Sequence, residues 1–259
     1  KNNNLFAFSL LFIQPIFMAS NLVVARGGVE FVPPISLAFW RWTTVFLLLI
    51  PFFYKPILKK IKNFKGEFYK LFFLGLTGCG ICGAFPFIAG QTTTVVNMAV
   101  IYTSSPIFII LLSSFIYKEK INSIQIIGLV LCLFGVFSII SKGDSSILSS
   151  LEFTVGDIWM LGAAISWALY SVYLLNWKSK FDLLTRFVLI AMFGSISLFP
   201  FYLLEEFQGQ STVFDLNFLF WVIFAAISPA IIAFTLYTKV QKYLGASITG
   251  FTLYLFTVY

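Results

Sequence analysis

Long, uninterrupted apolar segments separated by short polar loops follow one another along the whole chain. Each is ~18–24 residues long, which an α-helix needs to cross a hydrocarbon core of about 30 Å. The apolar residues do not alternate with polar ones, which excludes the strands of a membrane barrel. The pattern therefore predicts an all-α polytopic membrane protein. The predicted spans are residues 5–25, 35–54, 68–89, 95–116, 122–141, 156–177, 184–204, 217–238 and 244–259, the last of them incomplete.

The second half of this pattern repeats the first at an offset of 149 residues. Leu47–Tyr54 aligns with Ile196–Leu203, which places Pro51 over Pro200. One match between apolar stretches is weak evidence, but the same offset on three helix pairs indicates a duplication. A duplicated helical membrane protein is most often a transporter, because two repeats that rock around a shared site give alternating access. The other matches are Met18–Asn21 with Trp167–Tyr170 and Ala84-Phe85 with Ala233-Phe234.

The duplication also predicts a helix beyond the printed sequence. The fifth span, 122–141, has no partner in the second half, where its counterpart is expected near 271–290. We therefore expect ten helices in two five-helix repeats, the first in residues 1–143 and the second in 156–259, which ends before the tenth helix. An odd number of helices per repeat makes the repeats inverted, related by an axis in the membrane plane.

Lysine and arginine residues lie mainly on one side of the predicted helices. Loops 55–70, 117–121, 178–186 and 239–243 carry most of the 17 basic residues, and we call this side the basic face. The opposite loops hold mostly acidic residues. The positive-inside rule predicts that the basic face, and with it the N-terminus, is cytoplasmic. Topology thereby accounts for the net charge of +7, and nucleic-acid binding is not expected.

The composition removes several classes of function. With 59% hydrophobic and 10% charged residues, the chain does not fit a soluble globular protein. It has no histidine, the usual metal ligand and commonest general base, and no nucleophile–base arrangement is visible. We therefore expect no enzyme activity, metal or cofactor. Cys79 and Cys82 form a CxxC pair, but lipid suppresses the thiolate that redox chemistry needs, so both are expected to pack between helices.

Two stretches resemble a known family. Residues 103–136, TSSPIFIILLSSFIYKEKINSIQIIGLVLCLFGV, resemble the first-repeat signature of the drug/metabolite transporter superfamily, EamA type: a proline in helix four, a glutamate that closes it, and a glycine-spaced helix five. Residues 156–175, GDIWMLGAAISWALYSVYLL, are similar to that family's sixth helix. The resemblance implies ten helices, a cytoplasmic N-terminus and a central solute cavity between helices 1–4 and 6–9. The residues that match the first signature are Pro106, Glu119, Gly128 and Gly135.

The chain departs from the family pattern in two places. Helix one has Met18–Asn21 where a Trp-Gly pair is common. Helix nine has Tyr254 or Leu255 where the second repeat often has proline, a change at the second gate of the cavity.

Arg41 is the most distinctive candidate for function, because it lies seven residues into the second predicted span. An arginine at a helix centre costs about 2.5–3.5 kcal/mol on insertion scales, so some contact must compensate it. It could face the cavity and bind a carboxylate or phosphate of the solute. It could equally bind carbonyl groups at a neighbouring helix end. The sequence leaves both alternatives open.

Other buried polar and aromatic residues complete the predicted site. Gln14 and Asn21 are seven residues apart and share a helix face, where they bind either solute or a neighbouring helix. Amphipathic aromatic residues near helix middles are the best candidates for contacts with an organic solute. The predicted solute-binding residues are Arg41, Trp40, Gln14, Asn21, Tyr102, Trp167, Tyr170, Tyr237 and Tyr254.

A further set of residues is predicted to act in gating or helix packing. Pro15 and Pro106 are expected to break hydrogen bonds within helices and free carbonyl groups. Glu119 is expected to cap helix four or to pair across the repeat interface. The complete set is Pro15, Pro106, Glu119, Gly128 and Gly135.

An aromatic cavity with one cation favours a small organic solute with an acid group, such as an amino acid. We expect efflux or exchange across the cell inner membrane by alternating access, with the bilayer and the solute as partners and a monomer or loose dimer as the assembly. No aspartate or glutamate is expected within a span, which favours a facilitator or exchanger over a proton-driven pump. The alternative is a lipid or lipid-headgroup translocator that moves a headgroup past Arg41.

Overall fold

The computed structural model describes residues 2–141 and 154–259, and the regular structure in these two ranges is helical. The first range contains α1 Asn2–Gly27, α2 Pro34–Lys59, α3 Ile61–Leu74, α4 Cys82–Gly90, α5 Val95–Tyr102, α6 Ser105–Tyr117 and α7 Ser123–Ser141. The second contains α8 Val155–Asn176, α9 Leu183–Phe207, α10 Leu216–Ala226, α11 Ala233–Gly250 and α12 Thr252–Val258.

Seven helical stretches within the described residues are long and apolar enough to cross a membrane. They match the first four predicted spans and the sixth to eighth, with shifted ends, while the fifth corresponds to α7. The prediction of an all-helical, multi-pass membrane protein is confirmed, and the inverted arrangement of two repeats stays a prediction. The seven stretches are Phe8–Glu30, Pro34–Lys59, Phe64–Gly90, Val95–Tyr117, Val155–Asn176, Leu183–Phe207 and Leu216–Ala246.

Two breaks in the helices differ from the sequence prediction. Because α5 ends at Tyr102 and α6 begins at Ser105, Pro106 lies in the first turn of a new helix, where its missing N–H costs no hydrogen bond. Pro106 therefore lies at the start of a helix and does not interrupt one, contrary to expectation. Within α11 the chain turns at Gly245, just after the predicted loop 239–243. The φ of Gly245 is 83°, in the left-handed region that favours glycine.

Two π-helical segments occupy corresponding places in the two halves of the chain. The first, Gly75–Ile81, lies between α3 and α4, and the second, Ile227–Ile232, lies between α10 and α11. A π segment disturbs the regular backbone hydrogen bonds, and such segments are frequent at functional sites. The carbonyl of Thr77 in the first segment accepts a hydrogen bond of 2.9 Å from the hydroxyl of Ser166. The first segment is therefore held by a side chain from the other half.

The first π segment also packs against α9 at very short distance. A Cβ atom at Gly75 would lie 2.6 Å from the Cβ atom of Phe193, and one at Gly194 would lie 2.3 Å from the Cβ atom of Cys79. Small residues permit such close approach between membrane helices. The thiol of Cys79 is buried in this contact, so it contributes to packing between the two halves.

Two buried carboxylates tie the halves together on the face opposite the basic face. Glu205, near the end of α9, accepts hydrogen bonds of 3.0 and 2.6 Å from the backbone N–H groups of Ile35 and Ser36, which caps α2. Asp157, in the first turn of α8, accepts one of 2.5 Å from the hydroxyl of Thr93. The expectation that no acidic residue lies within a span is therefore wrong. Asp157 already falls inside the predicted span 156–177, and Glu205, one residue past the predicted span 184–204, belongs to the membrane-length helix α9.

Candidate functional site

A small cavity lies between the two halves of the chain, and we call it the central cavity. Its volume is about 20 Å³, which is room for about one water molecule. A metabolite can therefore bind here only after the surrounding helices separate. The first half contributes Asn21, Arg41, Cys82 and Tyr102 to its lining, and the second half contributes Met160, Trp167, Pro229 and Phe234.

Arg41 is buried beside this cavity, with 2% of its surface exposed. One terminal nitrogen donates a hydrogen bond of 2.7 Å to the side-chain oxygen of Asn21, and the other donates one of 3.1 Å to the carbonyl of Pro229. Pro229 belongs to the second π segment, so a side chain of the first half here satisfies a carbonyl of the second. The guanidinium carbon also lies 4.7 Å from the centre of the Trp42 ring and 5.7 Å from that of Phe87.

In the two ranges that the structure describes, the positive charge of Arg41 has no anionic partner. Its hydrogen-bond acceptors are neutral, and contacts with ring faces stabilise a cation less than an ion pair with good geometry does. Its Nε–H is buried and has no acceptor among the described residues. Arg41 therefore binds a carbonyl of a neighbouring helix segment and also lines the cavity. Its position is compatible with both alternatives from the sequence, a contact to a helix carbonyl and a contact to solute. An anion in an enlarged cavity would meet a hydrogen-bond donor and an uncompensated charge.

Tyr102 and Trp167 line the central cavity from opposite halves of the chain. The hydroxyl of Tyr102 lies 3.3 Å from the sulfur of Cys82. The ring centre of Trp167 lies 5.2 Å from that of Phe234 and 4.8 Å from that of Tyr237. The fold thus brings together four predicted solute contacts: Asn21, Arg41, Tyr102 and Trp167.

A larger cavity opens at the basic face, and we call it the vestibule. Its volume is about 390 Å³, in the range of small-molecule sites. It lies between the end of α8, the start of α9 and α11, and its lining includes Tyr170, Arg186, Phe187 and Gln241. Tyr170, predicted as a solute contact, therefore faces the vestibule instead of the central cavity.

Aromatic rings separate the vestibule from the central cavity. Phe234 lines the central cavity, and its ring centre lies 5.8 Å from that of Tyr170 and 5.7 Å from that of Phe187 on the vestibule side. We call these three residues the aromatic partition. Phe234 also lies 5.1 Å from the ring of Trp42, which packs on Arg41. Passage of a solute from the vestibule to Arg41 requires these rings to move.

We expect Phe234→Ala to connect the two cavities, because it removes the ring that the partition residues share. The reporter is Cys82, which lines the central cavity, in a chain whose Cys79 and Cys132 are replaced by alanine. A membrane-impermeant thiol reagent applied at the basic face should modify Cys82 several-fold faster in this variant. Phe220→Ala is the matched control, since that ring is 59% exposed on the outside of the helices. An equal increase in both variants would contradict the partition.

Two predicted contacts lie away from both cavities. Trp40 packs on the outer side of α2, with its ring centre 5.6 Å from that of Phe214 and 6.0 Å from that of Phe218. Gln14 is fully buried, and its side-chain nitrogen lies 3.4 Å from the carbonyl of Ala233, which joins α1 to α11. In this structure Trp40 and Gln14 act in helix packing.

Tyr237 and Tyr254 are also buried but do not line the central cavity. The hydroxyl of Tyr237 lies 2.6 Å from that of Ser171, which accepts a hydrogen bond of 2.8 Å from the side chain of Gln241. The ring centre of Tyr254 lies 5.9 Å from that of Phe251. Tyr237 thus belongs to a polar network behind the aromatic partition, and Tyr254 to the packing of the last helices.

The remaining residues predicted to act in gating are spread along the chain. Pro15 is buried within α1, and Glu119 is exposed just after α6. A Cβ atom at Gly128 would lie 3.8 Å from the ring of Phe251, and Gly135 lies further along α7. Pro15, Glu119 and Gly128 are not among the described residues that line the central cavity or the vestibule.

Sequence reasoning did not assign Pro229, Phe234 and Arg186 to the site. The repeat match at Ala233-Phe234 pointed to this part of the chain, but Phe85, the counterpart of Phe234, packs instead on Trp159 at 4.8 Å. The duplication therefore located the helix without showing which of its residues lines a cavity.

Known proteins are similar to this chain in sequence and in fold. The EamA-like transporter family matches residues 5–141 and 154–259. An uncharacterized transporter from Archaeoglobus fulgidus is 29% identical over 204 residues, 78% of this chain and 69% of the relative. The uncharacterized transporter YyaM from Bacillus subtilis is 27% identical over 174 residues, 66% of this chain and 56% of the relative.

A solved crystal structure has the same fold, with a TM-score of 0.66 over 96% of this chain and 85% of that chain, at 18% sequence identity. Two separate regions of the chain match one family, which confirms the resemblance carried by Pro106, Glu119, Gly128 and Gly135. The chain belongs to the EamA-like transporter family of the drug/metabolite transporter superfamily, and it is a multi-pass membrane transporter.

Proposed function

We propose that this transporter moves a small organic metabolite with an acid group, amino acid-like or related, across the cell inner membrane by efflux or exchange. The observation that carries the proposal is the buried, uncompensated charge of Arg41 beside a cavity lined by both halves. A carboxylate or phosphate of the solute would supply the missing charge and accept hydrogen bonds from the guanidinium. The aromatic rings around it would contact the rest of the solute.

Alternating access of two inverted repeats, in residues 1–143 and 156–259, is the mechanism that we propose. Its support is the paired π segments, each of which has a carbonyl bound by a side chain from the other half. Such cross-contacts couple a change in one half to a change in the other. We place the basic face and the N-terminus in the cytoplasm, by the positive-inside rule. No enzyme activity, metal or cofactor enters this proposal.

The arrangement of cavities fits one state of such a cycle. The vestibule is open at the basic face, the aromatic partition is closed, and Glu205 and Asp157 tie the halves together on the opposite face. These two carboxylates are engaged as hydrogen-bond acceptors at helix starts, so we retain a facilitator or exchanger as the form of transport.

Movement of a lipid headgroup is less well supported by the surface. A groove of about 380 Å³ faces outward between the first π segment, α8 and α9. The side chains that line it are apolar apart from the indole of Trp159 and the hydroxyl of Ser197. That hydroxyl already donates a hydrogen bond of 2.8 Å to the carbonyl of Gly194. Such a groove suits an acyl chain better than a headgroup.

Counterflow in proteoliposomes of the full-length protein tests the proposal. The vesicles are loaded with a pooled metabolite extract, and the solutes that exchange are identified by mass spectrometry. Selective exchange of metabolites with a carboxylate or phosphate is the expected result. Exchange confined to neutral or cationic solutes, with folding verified, would reject the role given to Arg41.

A further inference from the structure

A second arginine, Arg186, lies at the vestibule and is not part of the site at Arg41. Arg186 lies in the first turn of α9 and lines the vestibule. One of its terminal nitrogens donates a hydrogen bond of 2.9 Å to the carbonyl of Leu174, near the end of α8. Its Nε–H is buried and has no acceptor in the described part of the chain. The guanidinium is therefore held in place while part of its donor capacity stays unused.

The charges around the vestibule are mostly positive. Lys178, Arg186 and Lys242 line it, and Asp182 is the acidic residue in that lining. Partial burial acts to raise the pKa of Asp182, but hydrogen bonds from the side chain and backbone of Thr185 lower it overall. Asp182 is therefore ionised and engaged as the cap of α9, which leaves the lining with an excess of positive charge.

A second carboxylate, that of Glu67, binds the loop between α8 and α9 beside the vestibule. Its oxygens accept hydrogen bonds of 2.5 Å from the hydroxyl of Ser179 and 2.8 Å from the backbone N–H of Lys180. These hydrogen bonds commit Glu67 to the loop between α8 and α9, and Glu67 is not among the residues that line the vestibule.

We propose that the vestibule is a second binding site, in which Arg186 recognises a carboxylate or phosphate group of a small soluble metabolite. The volume of about 390 Å³ admits such a molecule, whereas the central cavity of about 20 Å³ does not in this state. The site lies on the vestibule side of the aromatic partition, so it collects the solute before the partition opens. The identity of the solute rests on the proposed function, but anion binding at Arg186 does not.

Trp177 provides a local reporter, because it lines the vestibule and is partly exposed. The full chain is placed in phosphatidylcholine nanodiscs, and quenching of its fluorescence is measured with iodide, an anion, and with acrylamide, which is neutral. The contribution of Trp177 is the difference from a Trp177→Phe chain. Inorganic phosphate and acetate are then added as competitors of iodide, and either is expected to reduce quenching.

Arg186→Gln is expected to lower the iodide quenching constant of Trp177 about two- to threefold, the effect of one unit charge at about 7 Å in a watery cavity. Acrylamide quenching should not change. Arg186→Lys should retain the iodide effect, and Lys120→Gln is the matched control, which removes an exposed charge from the same face outside the vestibule.

Equal iodide quenching in the parent and in Arg186→Gln would overturn the proposal, as would a lack of competition by both phosphate and acetate. A change with both quenchers that Arg186→Lys does not reverse would also overturn it, since Arg186 would then act only through its bond to Leu174. The quenching measurement does not depend on transport activity of the protein. Failure of counterflow with an intact iodide effect would therefore reject the carrier and keep the anion site.

Discussion

Arg41→Gln is expected to reduce exchange of acidic solutes by about 100-fold, because truncation of one partner in a buried charge pair costs on the order of 2–5 kcal/mol. The glutamine amide can still donate towards Asn21 or the carbonyl of Pro229, which Arg41 binds at 2.7 and 3.1 Å. The protein should therefore remain folded. The measurement is initial exchange in proteoliposomes, normalised to the amount of reconstituted protein.

Two further variants separate charge from structure in this experiment. Arg41→Lys keeps the charge but loses the planar donor array, so intermediate exchange is expected. Lys59→Gln removes an exposed charge from the end of the same helix and should exchange normally. Normal exchange by well-folded Arg41→Gln would exclude solute contact at Arg41. Loss of membrane insertion would instead assign Arg41 to helix packing.

Among substitutions of a glycine by alanine in the first half of the chain, Gly90→Ala is expected to destabilise the protein most. A Cβ atom there would lie 1.9 Å from the carbonyl oxygen of Ala25, so α1 and α4 would have to separate. The carbonyl of Gly90 also accepts a hydrogen bond of 2.9 Å from Arg26, which that movement would strain. We expect a loss of about 3 kcal/mol, at the upper end of overpacking costs. Thermal unfolding of the purified protein in detergent measures it.

The matched control is Gly66→Ala in α3, where no atom lies within 4 Å of the added Cβ position. Alanine there should leave stability unchanged or raise it by up to about 1 kcal/mol, because alanine favours helix more than glycine does. Gly78 is a weaker test, since its clash is with the side-chain ring of Tyr170 and not with backbone. Equal melting temperatures for Gly90→Ala and Gly66→Ala would show that α1 and α4 do not pack this closely.

The membrane-spanning helices could be predicted from the sequence because their hydrophobicity is continuous and their length matches the bilayer. Arg41 could be predicted for a related reason, since a charge within an apolar span must find compensation. The role of Trp40 could not be predicted correctly from its position next to Arg41 in the sequence. Successive residues of a helix point about 100° apart, so Arg41 lies beside the cavity while Trp40 packs against Phe214 and Phe218.

The positions of the two cavities depend on helix tilt and rotation, which the packing of neighbouring helices sets. Trp167 and Tyr170 lie on one helix face, three residues apart, yet the first lines the central cavity and the second lines the vestibule. Hydrophobicity alone did not distinguish them. The π segments were missed for a similar reason, because their residues are as apolar as those of an ordinary membrane helix.

The most direct test of alternating access is labelling of Cys82 from each side of the membrane. The chain keeps Cys82 as its single cysteine, and a membrane-impermeant thiol reagent is applied to right-side-out and to inside-out vesicles. The central cavity of about 20 Å³ is too small for such a reagent, so each modification reports an opening. We predict labelling from both sides, slowed in both by the solute that counterflow identifies. Labelling from one side only, or labelling that the solute does not slow, would contradict alternating access around Arg41.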